Sequence, residues 1–384
     1  MNHLLWLALL IGANAVLLVL PMVPALREWK RSASKPLYIP EDDEAGVEYF
    51  AIRFRQRLAA DWNNDAFFQP ALSVSAHTGL LAIPAANTGS MLVPAAHVGQ
   101  YRIARPGTLI DGPNASGRAL EPVLIGDAIE IVEGRDYLGD IYARSSLRAG
   151  GRNIIRAVLC DGDVELGPGS GILRWAHARS LRIGDGSRVP GRISALSSIA
   201  LGVGCRFERV KAPVIELGPP RAWPSTAAAD TDAGLPLAAE ARHDSPAEPG
   251  AMQWRRDTAR WASDGDIDLP EGSVLEGDLI VRGSITLGPS CTIHGSIKSY
   301  LDIVIGAGSV IEGSCFAHGK IALGRGSRVL GQLSSITAIA CEDGCMVGRP
   351  GRPASTIAPD ITIIGTCRFH GSLWARNTGR ILPA

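Results

Sequence analysis

A period of eighteen residues organises this sequence. Leu269, Leu287, Ile305, Leu323 and Cys341 stand eighteen apart, and so do Gly277, Gly295, Gly313 and Gly331. A third column, Leu279, Ile297, Cys315 and Leu333, keeps the same spacing, and Gly288, Gly306 and Gly324 directly follow members of the first. Self-similarity at a fixed period predicts stacked units, none of which buries its apolar face alone. Eighteen residues are too few for a helix pair or a propeller blade. They fit one coil of a β-helix, with three short strands and three tight corners.

The residues within one coil agree with this. In Ser284-Ile-Thr-Leu287-Gly288 apolar and polar side chains alternate, which is the strand period of two. Gly306-Ala-Gly-Ser309 and Gly324-Arg-Gly-Ser327 are read as corners that accept positive φ. Stacking turns each inward column into an aliphatic ladder, in which every buried Leu or Ile contributes roughly 1.5–3 kcal/mol. The composition suits a narrow core: 44 Gly for the corners, and only 5% aromatic residues.

A second array is legible upstream. Gly139-Asp-Ile141 leads to Gly150 over the same eleven residues that separate Gly277 from Gly288. Asp161-Gly-Asp-Val-Glu-Leu166 recurs as Asp264-Gly-Asp-Ile-Asp-Leu269. Ala212-Pro-Val-Ile-Glu-Leu-Gly218 recurs as Ala358-Pro-Asp-Ile-Thr-Ile-Ile-Gly365. Two β-helix segments are therefore expected, over 139–218 and 264–384. Between them, the Pro- and Ala-rich stretch 219–263 reads as a linker in which Trp254 to Trp261 form a short docking helix. How the two segments are arranged cannot be read from the sequence.

The N-terminal third is organised differently. Leu4 to Leu26 is apolar and uncharged, long enough to cross a bilayer, and Arg27, Lys30 and Arg31 follow it. With no Lys or Arg before it, the charge asymmetry places the N-terminus outside and the bulk of the chain in the cytoplasm. A cleaved signal peptide is the rival reading, but it calls for a basic leader and a shorter apolar run. Residues 1–31 are thus an expected transmembrane anchor, and 32–62 a hinge followed by an amphipathic helix over Asp42–Trp62. Val47, Phe50, Phe54 and Leu58 share one face of that helix, which is expected to pack on the first coils rather than lie on lipid. Residues 63–138 read as an irregular β-rich cap.

Little in the chain suggests chemistry. Lys plus Arg equals Asp plus Glu at 38 each, so nothing calls for nucleic acid. Seven Cys show no CxxC pattern. Cys291 and Cys345 share a repeat column, with Cys205 in the matching place upstream, and Cys315 and Cys341 replace ladder aliphatics, so all read as free core thiols. His294, His318 and His370 are the candidates for an acyltransferase base. His294 takes a corner position filled by Glu312 and Leu330 in later coils, and His318, 24 residues on, does not stack with it. Asp161, Asp163, Asp264, Asp266 and Asp268 lack the nine-residue spacing of calcium β-rolls. The expectation is a chain with no catalytic residue, metal or cofactor.

The recurring Leu-Gly-x-Gly-Ser-x-Val-x-Gly-x-Ile pattern, clearest at 305–315 and 323–333, resembles the bactofilins, the polymer-forming cytoskeletal proteins of bacteria. The resemblance covers roughly half the chain. It implies a right-handed triangular β-helix without nucleotide that self-assembles beneath the membrane. The period alone does not give handedness, since the left-handed hexapeptide helices of acyltransferases also have eighteen-residue coils. Bactofilins commonly carry one β-helix between short tails, whereas two segments and a helical N-terminal region are expected here. The expectation is then a membrane-anchored scaffold that self-associates at the cytoplasmic face of the inner membrane. The bilayer, further copies and envelope proteins would be its partners. A non-polymerising β-helix adaptor is the alternative, and an acyltransferase the third reading. Phe369, Leu373 and Trp374, large for such a core, lie near a C-terminal end read as the free surface for self-association.

Overall fold

The structure, a computed structural model, describes residues 47–64, 91–95, 99–104, 109–110, 123–219, 253–255 and 260–384. By contacts the chain divides into Met1–Ala45, which lies outside the described residues, and Gly46–Ala384. The second unit is an all-β, right-handed solenoid of about 12 turns with one short helix.

The eighteen-residue period is the rise of one coil. Leu269, Leu287, Ile305, Leu323 and Cys341 pair in parallel register, rung on rung, and each is buried. Leu279, Ile297, Cys315 and Leu333 do the same on another face. The strands are short, commonly two to four residues in this array, because a corner follows every inward pair. The corners differ from expectation in one respect. Positive φ falls on Gly308 (φ 69°), whereas Gly306 is glycine because a Cβ there would collide with the backbone of Gly288 one coil below. Stacked corners therefore need Gly for close approach as well as for dihedral freedom.

Three faces run the length of the solenoid. In the first array the first face has the inward ladder Ile141, Val158, Ala176, Ile193 and Val210, and the second has Leu147, Val164, Leu181, Ile199 and Ile215. The third has Tyr137, Ile155, Ile172, Val189 and Phe207. Each aspartate-led echo is a corner that follows a first-face strand, but it opens onto the second face at Asp163–Leu166 and onto the third at Ile267–Leu269.

The solenoid starts earlier than expected. Val123–Ile131 already pairs in parallel with both Gly99–Ala104 and Asp136–Ala149, so the C-terminal part of the expected irregular cap, from 123 on, is regular coil, while much of the rest lies outside the described residues. Leu109–Ile110 joins the same coil, in parallel with Glu130–Ile131. Met91–Ala95 then turns back antiparallel on Gly99–Ala104. The expected helix at Trp254–Trp261 is likewise a hairpin, with Gln253–Arg255 antiparallel to Arg260–Ser263 and the latter stacked on Asp278–Val281. Both arrays thus begin with a hairpin on the first face.

Helix α1, Tyr49–Asn64, starts later than Asp42, and 42–46 lie outside the described residues. It buries Ala51, Phe54 and Leu58 against the outside of the first face, where Ile125, Tyr142, Leu159 and Trp175 receive them. Phe54 and Trp175 have ring centroids 5.5 Å apart. Among the described residues no helix is long and apolar enough to cross a membrane, and the span Leu4–Leu26 lies outside them.

Candidate functional site

The arrangement of the two arrays, open from the sequence, is set by one ladder. Arg206–Leu217, the last strand of the first array, pairs antiparallel with Cys367–Leu382, the last strand of the second. Val210 lies opposite Leu373 and Ile215 opposite Phe369. All four side chains are at most 1% exposed. The arrays are therefore joined tail to tail about a local two-fold, and their cores form one continuous cluster.

This changes the setting of the three residues expected at a free end. Phe369 and Leu373 are core residues of the seam, and Trp374 lies on the outer surface opposite Arg209, whose guanidinium sits 4.1 Å from the ring centroid. Such a cation–π contact is worth about 0.5–2 kcal/mol. The C-terminal end is consequently not free within the chain: the first array covers it. The large Phe207 ring fits because it stands opposite Gly379, where a Cβ would strike it. Arg368 donates to Glu216 at 2.8 Å across the seam, and His370, buried, has Nδ1 3.0 Å from the Pro213 carbonyl oxygen. A groove of about 430 Å³ crosses the seam on the second face, lined in part by Arg182, Glu216, Arg328, Met346 and Arg368.

The histidines weighed for catalysis do not converge. His294 sits between Glu276 and Glu312 of the neighbouring coils, 3.8 and 3.1 Å away. His318 packs against Tyr300 with centroids 4.9 Å apart and the rings tilted by 55°, and His370 is in the seam. Four of the five aspartates, Asp161, Asp163, Asp264 and Asp266, are engaged locally. Asp163 accepts from Arg179 and Ser180, and the Arg179 hydrogen bond holds its carboxyl below the usual range. Asp264 faces Arg282 at 3.3 Å, and Asp266 accepts the Ser284 amide at 2.7 Å. Among the described residues no group of three or more His, Cys, Asp or Glu could hold a metal ion.

Asp161 marks a polar seam that the sequence did not announce. It accepts the Tyr142 hydroxyl at 2.7 Å and pairs with Arg55 of α1, so the helix is tied to the coil by charge as well as by Phe54. Burial and the Asp161 hydrogen bond push the Tyr142 phenol well up. Next to it, burial lowers His177, whose Nδ1 lies 2.8 Å from Ser194 Oγ.

All seven cysteines are free and buried. One corner column runs Asn153, Ser170, Ser187, Cys205 in the first array and Cys291, Ser309, Ser327, Cys345 in the second, with small polar side chains turned to corner carbonyls. Ser309 donates to Gly288 O at 3.0 Å, and the Cys345 and Cys205 thiols lie 3.2 Å from Gly324 O and Gly184 O. Burial pushes the Cys205 thiol up to about 11 and the Cys160 thiol up to about 12. Hydrogen bonding from Cys367 lowers Cys345.

No family model, curated protein or solved structure matches the chain.

Proposed function

We propose that the protein is a scaffold rod of fixed length, held at the bacterial inner membrane by residues 4–26, with its solenoid in the cytoplasm. The observation that carries this reading is the tail-to-tail ladder between Arg206–Leu217 and Cys367–Leu382. A solenoid grows by adding strands to an open end. Here both C-terminal ends are consumed inside one chain, and each N-terminal end begins with a reversed strand. One of these, Met91–Ala95, carries Pro94, which has no amide to offer a further copy.

The coil itself keeps the likeness to bactofilins, while assembly departs from it, because filament growth would have to proceed through the hairpin ends. The non-polymerising adaptor is thus favoured, with the outer faces left to bind envelope proteins. At about 4.8 Å per coil, 12 turns make a rod of roughly 58 Å. Negative-stain micrographs and sedimentation of the detergent-solubilised full chain test this. Discrete rods near that length are expected. Filaments of indefinite length would overturn the reading and restore polymerisation.

A further inference from the structure

Of the seven buried cysteines, only Cys345 and Cys367 occupy neighbouring rungs. Cys205 and Cys291 stack on Ser187 and Ser309, Cys160 on Ala143, and Cys315 and Cys341 lie between aliphatic rungs. Met346 pairs in parallel with Arg368, and the Arg368 amide donates to the Cys345 carbonyl at 3.0 Å. The residues just before them, Cys345 and Cys367, therefore stand side by side on adjacent coils, each 1% exposed. Register neighbours on parallel strands lie about 4.8 Å apart, inside the Cα–Cα range of about 4.4–6.8 Å that a disulfide spans. Packing alone does not call for two thiols here. Ser309 and Ser327 fill the same corner in the coils below and are equally buried, and the Ser309 hydroxyl serves its corner carbonyl as the Cys345 thiol does.

The two thiols are unequal. The hydrogen bond from Cys367 holds Cys345 below the usual thiol range against the effect of burial, assisted by Ser327, whose Oγ lies 3.5 Å from the Cys345 sulfur. The same hydrogen bond, together with burial, pushes Cys367 well up. Burial likewise pushes Cys315 and Cys341 well up, so both stay protonated. The thiolate is the form that attacks a peroxide, which singles out Cys345. Access comes through the seam groove of about 430 Å³, whose wall includes Cys345, Met346, Cys367, Arg328 and Arg368. The groove has room for a molecule as small as a peroxide, while a bulky reagent meets thiols that are almost wholly covered.

We propose that Cys345 and Cys367 are a redox-active dithiol that a small hydroperoxide converts to an intrachain disulfide, latching the seam strand to the coil beneath it. The Cys345 thiolate attacks the peroxide O–O bond and becomes a sulfenic acid. The leaving oxygen takes up the proton that Cys345 lost and departs as water or an alcohol. The Cys367 sulfur then displaces the sulfenic oxygen, which leaves as water with the Cys367 proton. Two thiols thus lose two electrons and two protons to the peroxide, and a small thiol in excess returns them by exchange. Cys367 opens the strand Cys367–Leu382 and lies opposite Leu217 of the first array, whereas Cys345 belongs to the coil in which the period breaks. The bridge spans twenty-two residues and closes around the lengthened corner at Arg349 and Arg352. Neither the membrane anchor nor the length of the rod bears on it.

The test uses the full chain in detergent, reduced, freed of reductant and exposed to hydrogen peroxide. Cleavage before aspartate leaves Cys345 as the one cysteine of peptide 343–359 and Cys367 as the one cysteine of peptide 360–384. Mass spectrometry should find these peptides joined, two hydrogens lighter than their sum, and separated by dithiothreitol. Thiols counted after denaturation should fall by two from the seven of the reduced chain. The melting temperature should rise on oxidation and return on reduction, because the cross-link restricts the unfolded chain. Cys345→Ser installs the residue native to this corner in the coils below, so it should keep the fold, lose the bridge and melt alike with and without peroxide. Cys367→Ser, without the second thiol, should stop at a Cys345 sulfenic acid that dimedone traps. A bridge to Cys341 or between chains overturns the proposal, as do unlinked peptides whether Cys345 is left unmodified or carried on to the sulfinic acid. A bridged chain that melts no higher than the reduced one overturns it as well.

Discussion

Val210 of the first array and Leu373 of the second face each other across an antiparallel rung, although the rungs on either side of that seam run parallel. One chain thus contains both halves of an end-to-end contact. Everything proposed about bounded length depends on that pair of strands, and the seam makes demands of its own on particular residues.

Phe369 is 1% exposed opposite Ile215. Phe369→Ala should lower stability by about 3–5 kcal/mol, as large-to-small changes in packed cores do. Chemical denaturation of the full chain would show this as a shifted midpoint. A variant as stable as the parent would place Phe369 outside the core.

Ile305 is the middle of an inward ladder and 1% exposed, flanked by Leu287 and Leu323. Ile305→Asp leaves an unpaired carboxylate in a dry column at a cost of several kcal/mol, which the coils above and below share. Loss of cooperative unfolding, followed by circular dichroism on heating, is the expected result. Unchanged melting would mean the column does not face inward.

His177 gives the fold an acid-sensitive point under α1. Burial lowers its folded-state pKa. Well above its ordinary value of about 6.5 neither folded nor unfolded chain is protonated there, and it has no effect on stability. As pH falls below that value the unfolded chain binds a proton that the folded one resists, so stability declines until the lowered pKa is also passed. Thermal melts from pH 8 to pH 5 should fall more for the parent than for His177→Gln. Parallel curves would remove His177 from the account.

The coil was legible in the sequence because every rung reuses one spacing, and Leu269 to Cys341 shows it without interruption. Legibility ends at Gly348, where the turn through Arg349 and Arg352 lengthens one coil, so that Cys341 pairs with Ile363 twenty-two residues later. The seam could not be read at all. Arg188 and Arg206 are eighteen residues apart and belong to the visible period, but Arg380 joins them through an antiparallel register that no periodicity encodes. Likewise Trp254 and Trp261 looked helical by spacing, while pairing with an existing coil edge makes their segments strands. The contact between Asp161 and Arg55 is equally non-local, 106 residues apart.

The thiols offer a check on core packing that needs no variant. All seven are buried, so a bulky thiol reagent should leave the native chain unmodified and find seven groups after denaturation. Rapid native labelling would show that the corner columns open to solvent.

The seam itself is tested most directly by a covalent bridge. Lys211 and Ser372 lie opposite each other in the antiparallel register, both on the outside of the first face. The double variant Lys211→Cys, Ser372→Cys, oxidised under native conditions, should form an intrachain disulfide in monomeric protein, seen as a mobility shift reversed by reductant. Bridges that form only between chains, or no bridge at all, would contradict the tail-to-tail junction and the fixed-length rod built on it.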